Sequence, residues 1–343
     1  MSRKRIGFFT RLLDDVPAPE RYRLAAAQIR HAESFGYHTA WVAQHHFNGG
    51  EGGLPSPFPF LSYMAAQTSR IRLGTGVVTL TMEDPVRVAE DASVTDALSG
   101  GRLELGVGSG GTPSSFTAFG RDFADRRGVY DAHLATLRQA WAGAALPGDN
   151  RLYPAAAGLD QRVWQATFST GGGIKAGQDG DGLLLSRTQP RPKDTPFASL
   201  ADLQLPIIES YCSNLPSGVA PRILASRSVF VADSRAEARA LAEVGLRKVA
   251  QHFQLVGHVF PSDTLDDLIF AMDSHIGTPD EVAESLAADR VLDHASEIAV
   301  QVHSVDPPHD FILRSIELFA TKVAPALGWV DPPYPARLRT AAV

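Results

Sequence analysis

Residues 71–111 read IRLGTGVVTLTMEDPVRVAEDASVTDALSGGRLELGVGSGG and hold a complete strand, helix, strand unit. Residues 73–80 are β-branched and punctuated by glycine, as a buried strand is. Asp84-Pro85 then offers an N-cap followed by proline at the first helical position, so a helix is expected from Pro85. Val86, Ala89, Val94, Ala97 and Leu98 are read as its apolar stripe. Ser99-Gly100-Gly101 ends it, and residues 103–107 form a second buried strand. A helix between two such strands makes the crossover parallel. The second strand runs into Gly108-Ser109-Gly110-Gly111, a backbone bare enough for a ligand to lie directly against it.

The same alternation extends in both directions. Strands are expected at 6–10, 39–43, 73–80, 103–107, 163–166, 182–186, 223–232 and 298–302. Helices are expected to start near residue 22 and end at Gly36, to run through Ala66, and to cover 85–98, 128–141, 170–176, 233–253, 279–288 and 310–326. Less regular stretches at 112–161, 187–221 and 254–278 read as insertions, with 200–211 partly helical. Eight strands separated by helices favour a closed parallel barrel over an open doubly wound sheet, and no G-x-G-x-x-G follows the first strand. A chain of 343 residues accommodates one such domain, of roughly 250 residues, with insertions.

Composition narrows the function classes. Hydrophobic residues make up 44% and charged residues 20%, as in a soluble globular protein. A net charge of −6 argues against nucleic acid, since no basic excess is available to neutralise phosphates. The single cysteine, Cys212, excludes an internal disulfide framework and suits a reducing compartment. The apolar run after Arg3, Lys4 and Arg5 is too short for a signal peptide or a membrane span, so a cytoplasmic location is expected.

In a parallel barrel the chemistry gathers where strands end. Gln44-His45-His46 follows the second strand, Gly108–Gly111 the fourth and 169–173 (STGGG) the fifth, so segments distant in sequence can converge on one rim. Adjacent histidines on a continuing strand point apart and make a poor chelate, so a metal is not expected, whereas either histidine alone is a candidate acid or base. The plain alternative is a hydrogen-bonded structural pair. Ser169 and Thr170 followed by Gly171 and Gly172 at a helix start read either as a flexible turn or as a phosphate cradle of hydroxyls and orphan N–H groups. Local sequence does not separate those two.

Several segments, in order, resemble the bacterial luciferase-like flavin monooxygenases. They are WVAQHHF at 41–47, LGTGVV at 73–78, EDPVRVAED at 83–91, DALSGGRLELGVG at 96–108, VWQATFST at 163–170, GDGLLLS at 180–186 and IGTPDEVAESLA at 276–287. The resemblance covers most of the chain. It implies a TIM (β/α)8 barrel with insertions, in which reduced FMN from a separate flavin reductase activates O2 to oxidise a small organic substrate. It places the acid or base on His45 and the FMN phosphate on Ser169, Thr170, Gly171 and Gly172. It also places a cis peptide at Gly76–Val77 beside the flavin ring, with Gly108, Ser109 and Gly110 along the cofactor. Residues 187–221 would form the variable segment over the site, and the helices at 59–66 and 85–98 a homodimer interface.

Two departures from the family pattern stand out. Gln44 occupies the position of a carboxylate before the histidines, and Ser109 that of a basic residue after the fourth strand. Gly108 stands where the luciferases proper carry a thiol, so light emission is not expected. A deazaflavin-dependent reductase of the same superfamily and a flavin-binding barrel without turnover are the alternatives. Of the remaining residues, Cys212 reads as a small packed or exposed side chain, and Arg102 as an ion-pair residue at the start of a strand. His252, His258 and His275 read as surface polar groups or pocket lining.

Overall fold

The computed structural model describes residues 3–255, 259–260, 262–304 and 306–331. Among the described residues ten strands occur: β1 Arg5–Thr10, β2 Thr39–Val42, β3 Arg72–Thr75, β4 Val78–Thr79, β5 Leu103–Gly108, β6 Val163–Ala166, β7 Gly182–Leu185, β8 Ile223–Val231, β9 Ser274–Gly277 and β10 Glu297–Gln301. Every pairing between them is parallel, in the order β10-β1-β2-β3-β5-β6-β7-β8. A further ladder, with Ile298 opposite Ala225 and Val300 opposite Arg227, joins β10 to β8 and closes the ring. These eight strands form a TIM barrel, and each coincides with an expected one.

Inside the barrel Phe9, Trp41, Ala43, Trp164, Leu184, Leu224 and Ala299 form one cluster. The two indoles meet edge to face, with ring centroids 5.7 Å apart. Each also spends its N–H on a buried carboxylate: Trp41 on Glu297 at 2.8 Å and Trp164 on Glu104 at 2.7 Å. Room for the rings comes from missing side chains. A Cβ on Gly74 would stand 2.3 Å from the Trp41 ring, and one on Gly182 2.2 Å from Trp164. The main core lies outside, between the strands and the helical layer, and holds Ile6, Phe8, Leu73, Leu105, Leu183, Ile298 and their helical partners.

The central unit folds as its caps dictate. Asp84 accepts hydrogen bonds from the N–H groups of Val86 and Arg87, the helix Pro85–Ser99 follows, and Gly100 closes it in the left-handed region at φ 66°. Its buried face is not the expected stripe. Val88, Ala89, Ala92, Ser93, Thr95, Asp96 and Ser99 pack inward, while Val94 and Leu98 are exposed. Small side chains let the neighbouring helices approach. The polar ones are partnered, Ser93 by the Ala89 carbonyl and Asp96 by Arg162 at 2.6 Å.

Other departures are local. The expected strand at 73–80 is divided into β3 and β4 by a cis Gly76–Val77 peptide. The stretch 112–125 carries a short helix, Pro113–Ala118, and the stretch 254–278 carries helix Leu265–Ala271 and strand β9, which pairs with β8. Within 187–221, Leu200–Cys212 is a full helix on the outer layer of the barrel rather than over its mouth. It packs on helix Thr170–Gln178 so closely that a Cβ on Gly173 would lie 2.7 Å from the Ile207 carbonyl oxygen. Among the described residues, Arg102 makes no ion pair. Its guanidinium donates to the carbonyls of Ala65, Thr68, Ile71 and Ser99, tying two helix ends to β5. Among the described residues, no helix is long and apolar enough to cross a membrane.

Candidate active site

The C-terminal ends of the strands converge on one mouth, and a cleft there is lined by Gln44, His45, His46, Glu51, Thr79, Met82, Gly110, Gly111, Thr112 and Ser115. Two of the expected segments, after β2 and after β5, therefore meet. The cis Gly76–Val77 peptide adjoins them. Val77 packs against the interior cluster, and a Cβ on Gly108 would lie 2.8 Å from Val77 Cγ2. Gly110 needs to be glycine twice over. Its φ is 76°, and a Cβ would stand 2.6 Å from Thr79 Cγ2. The Ser109 carbonyl accepts from the Thr81 hydroxyl at 3.1 Å, so the backbone of this loop is held against β4.

Gln44 accounts for its own departure from the family pattern. Its carbonyl oxygen accepts the Thr79 N–H at 2.7 Å, while its amide nitrogen donates to Glu83 Oε1 at 2.7 Å and to the Pro55 carbonyl at 3.1 Å. An amide accepts on one side and donates on the other, which an ionised carboxylate cannot do. A carboxylate is still present at the rim, but it belongs to Glu83, and its charge raises the His46 pKa against the lowering by burial.

The two histidines diverge, as neighbours on an extended chain do. His46 stacks edge to face on Phe119, with centroids 4.8 Å apart, and its Nε2 is buried without a partner. His45 lies beneath the 48–54 loop. Its N–H donates to the Leu54 carbonyl at 3.0 Å, and a Cβ on Gly52 would be 2.4 Å from the imidazole. Burial lowers the His45 pKa to about 4, helped by Arg11, His46 and Arg187. The imidazole is thus neutral at physiological pH, and Glu51 Oε2 lies 3.9 Å from Nδ1. That contact is longer than a hydrogen bond, so it leaves both ring nitrogens open to a proton or a ligand.

Ser169 and Thr170 lie one strand further round, at the end of β6, and do not line this cleft. Ser169 caps the helix Thr170–Gln178, its hydroxyl accepting from the Gly172 N–H at 3.2 Å. The N–H groups of Thr170 and Gly171 remain as first-turn donors with no intrahelical acceptor. Space around Gly171 is open, with no atom within 4 Å of a Cβ built there.

Sequence reasoning passed over two rim residues. Arg11 directly follows β1 and Arg187 comes two residues after β7, so the rule that strand ends carry function would have found both. Arg11 donates to the Glu51 carbonyl at 3.2 Å. The segment behind it is anchored by Asp14, which accepts from Gln28 at 3.1 Å and lies 3.2 Å from His303 Nε2. Arg187, only 8% exposed, donates to the Ser228 hydroxyl at 3.2 Å. The scattered histidines are elsewhere. His275 pairs with the Ser285 hydroxyl at 2.8 Å on β9, away from the mouth, His258 lies outside the described residues, and so does the side chain of His252. Cys212 is exposed.

Comparison with known proteins agrees with this architecture. A Streptomyces nodosus subsp. asukaensis protein, 4-hydroxyprotoasukamycin monooxygenase, is 47% identical over 95 residues, which are 28% of this chain and 25% of that protein. Limonene 1,2-monooxygenase of Rhodococcus erythropolis is 31% identical over 171 residues, covering 47% of this chain and 44% of its own. The chain thus spans less than half the length of these relatives. Among solved structures, the monooxygenase RslO1 of Streptomyces bottropensis superposes with a TM-score of 0.76 at 24% identity, over 94% of this chain and 99% of that one. The F420-dependent tetrahydromethanopterin reductase of Methanopyrus kandleri gives 0.64 at 19% identity, over 95% and 99%, and shares the fold. The sequence profile described as luciferase-like monooxygenase matches residues 6–293, and the chain belongs to that family.

Proposed function

We propose that this chain is a monooxygenase that takes reduced FMN from a separate flavin reductase and uses O2 to oxidise a small organic substrate. The observation that carries the reading is the rim itself. The glycine-rich segments Gly76-Val77 and Gly108-Ser109-Gly110 reach the cleft at Gly110, which His45 also lines, with a helix N-terminus one strand away. These residues fit FMN. Ser169, Thr170, Gly171 and Gly172 would hold the phosphate, the first two through their hydroxyls, Thr170 and Gly171 through free N–H groups and Gly172 by keeping the turn bare, which needs no basic residue at position 109. The bare segment would receive the ring. Reduced FMN, when bound, supplies the activation of O2. His45 then takes a proton at a ring nitrogen.

The chain is also proposed to work as a cytoplasmic homodimer. Tyr63, Val94 and Leu98 are exposed on the helices Pro57–Gln67 and Pro85–Ser99, which pack together through the Ser62 and Thr95 hydroxyls at 3.0 Å. An unpartnered apolar face of that kind suits a second copy. The function is tested by titrating the purified protein with reduced FMN and with reduced deazaflavin, with and without O2. Binding of reduced FMN followed by oxygen-dependent product supports the proposal. Selective binding of deazaflavin would make it a reductase, and binding without any product would make it a barrel without turnover.

A further inference from the structure

The mouth of the barrel divides into two halves of different chemistry. Around the ring, β3, β4, β5 and β6 end in the bare or hydroxyl-bearing segments just described. The other half, β7, β8, β10 and β1, ends in polar side chains, with Arg187 after β7, Ser228 on β8, Gln301 on β10 and Arg11 after β1. His45, after β2, stands where the two halves meet.

The charge of Arg187 is under-compensated. A guanidinium carries five N–H donors. Arg187 commits one, to a neutral hydroxyl, and among the described residues no carboxylate lies within ion-pair distance of it. Asp273, the acid whose charge acts on Arg187, is held by Arg191, which donates to both carboxylate oxygens at 2.6 Å. Arg11 has Glu51 and Asp306 in its field, yet its buried Nε finds no acceptor. Burying a guanidinium with no carboxylate beside it is costly unless an anion joins it. Burial, and then the charge of Arg11, lower the Arg187 pKa to about 9, and burial lowers that of Arg11 to about 10 against the pull of Asp306 and Glu51.

We propose that Arg187 and Arg11 form a subsite for an anionic oxygen of the organic substrate, a carboxylate or an ionised phenol or enol. The proposal rests on the flavin reading for the other half of the mouth and names the class of molecule oxidised there. The fork geometry of Arg187 suits two parallel bonds to such a group. An anion held at Arg11 lies on the His45 side of the mouth, because Arg11 donates to the carbonyl of Glu51 at 3.2 Å and the carboxylate of that residue is 3.9 Å from His45 Nδ1. The imidazole and the substrate would thereby be brought to the same side of the mouth. The flavin phosphate has the same ligand chemistry, so the two sources must be separated experimentally.

Benzoate and its neutral counterpart benzamide serve as probes, titrated calorimetrically into the flavin-free protein and into Arg187→Gln and Arg187→Lys. FMN and riboflavin are titrated into the same proteins. In the unmodified protein benzoate should bind at least about tenfold more tightly than benzamide. Arg187→Gln should abolish that preference, and Arg187→Lys, which keeps the charge and loses the fork, should retain part of it. FMN and riboflavin should each bind Arg187→Gln within about twofold of the unmodified protein. Equal binding of the two probes, no binding of benzoate, or an undiminished preference in Arg187→Gln would overturn the proposal. So would a loss of FMN affinity with riboflavin spared, which would give the arginine to the cofactor phosphate. If thermal melting shows that Arg187→Gln does not fold, Arg11→Gln takes its place, and an intact preference there is equally fatal. Failure of the unmodified protein to bind any flavin would count against the proposed function, while the benzoate comparison is read without flavin.

Discussion

Replacing Gln44 by Glu restores the residue usual in the family and, in this chain, should be destructive. The amide nitrogen lost from position 44 donates to Glu83 at 2.7 Å, so Gln44→Glu sets two carboxylates against each other in a largely buried place. At that separation, and at an effective dielectric constant of about 20, two full charges repel by roughly 6 kcal/mol. The pair avoids most of this by keeping one proton. Holding a carboxyl protonated at pH 7 costs about 1.4 kcal/mol for each unit above a reference near 4.3, or about 4 kcal/mol in all. The smaller figure governs, and after local relaxation the loss should be about 2–4 kcal/mol at pH 7. The sign with pH follows from the native state binding the extra proton more tightly than the unfolded chain. The loss is fully present above the raised native pKa of the pair, shrinks as the pH falls through it, and is least below the unfolded value. Urea unfolding at several pH values measures this, and Gln44→Glu combined with Glu83→Gln should recover most of the loss by returning one donor to the pair. A single variant as stable as the parent at pH 8, or a double variant no better than the single one, would refute the exchange of roles between positions 44 and 83.

Three further outcomes are expected. His45→Ala should lower oxidative turnover about a hundredfold or more with FMN affinity much less changed, and because burial and neighbouring cations hold this imidazole near 4, the acid limb of the parent's pH profile should fall around pH 4 rather than 6.5. Stopped-flow turnover across pH reads both, and near-full activity in the variant would reduce His45 to a packing residue. Replacing Ser169 and Thr170 together by Ala should weaken FMN at least tenfold and leave riboflavin almost unchanged, whereas equal losses would put the phosphate elsewhere. Light scattering should give about twice the 36.8 kDa of one chain and return to that value in Leu98→Glu, and a monomeric parent at micromolar concentration would remove the homodimer.

Much of the fold was written locally. Asp84-Pro85 and Gly100 set the ends of the central helix because capping and left-handed turns depend on a few consecutive residues. Eight buried runs at strand length, each beside a helix-forming segment, were enough to close a ring, since parallel strands need crossovers of that kind. The sequence also located the rim segments, because barrels place strand ends together whatever fills them.

Tertiary structure decided what those segments meet. Val94 and Leu98 are apolar and the sequence turned them inward, yet the contact with helix Pro57–Gln67 is made by Thr95, whose hydroxyl meets Ser62 at 3.0 Å, and Asp96 is buried against Arg162. β9 has too short a pattern to announce itself and exists because β8 extends past the barrel far enough to pair with it. Gln44 reads as a lost carboxylate until the chain brings Glu83 to it across 39 residues. Arg11 and Arg187, far apart in sequence, affect one imidazole only because β1 and β7 end at the same mouth. Caps and periodicity are properties of neighbours along the chain. Charge compensation and burial depend on distances between remote residues, and those exist only once the barrel is closed.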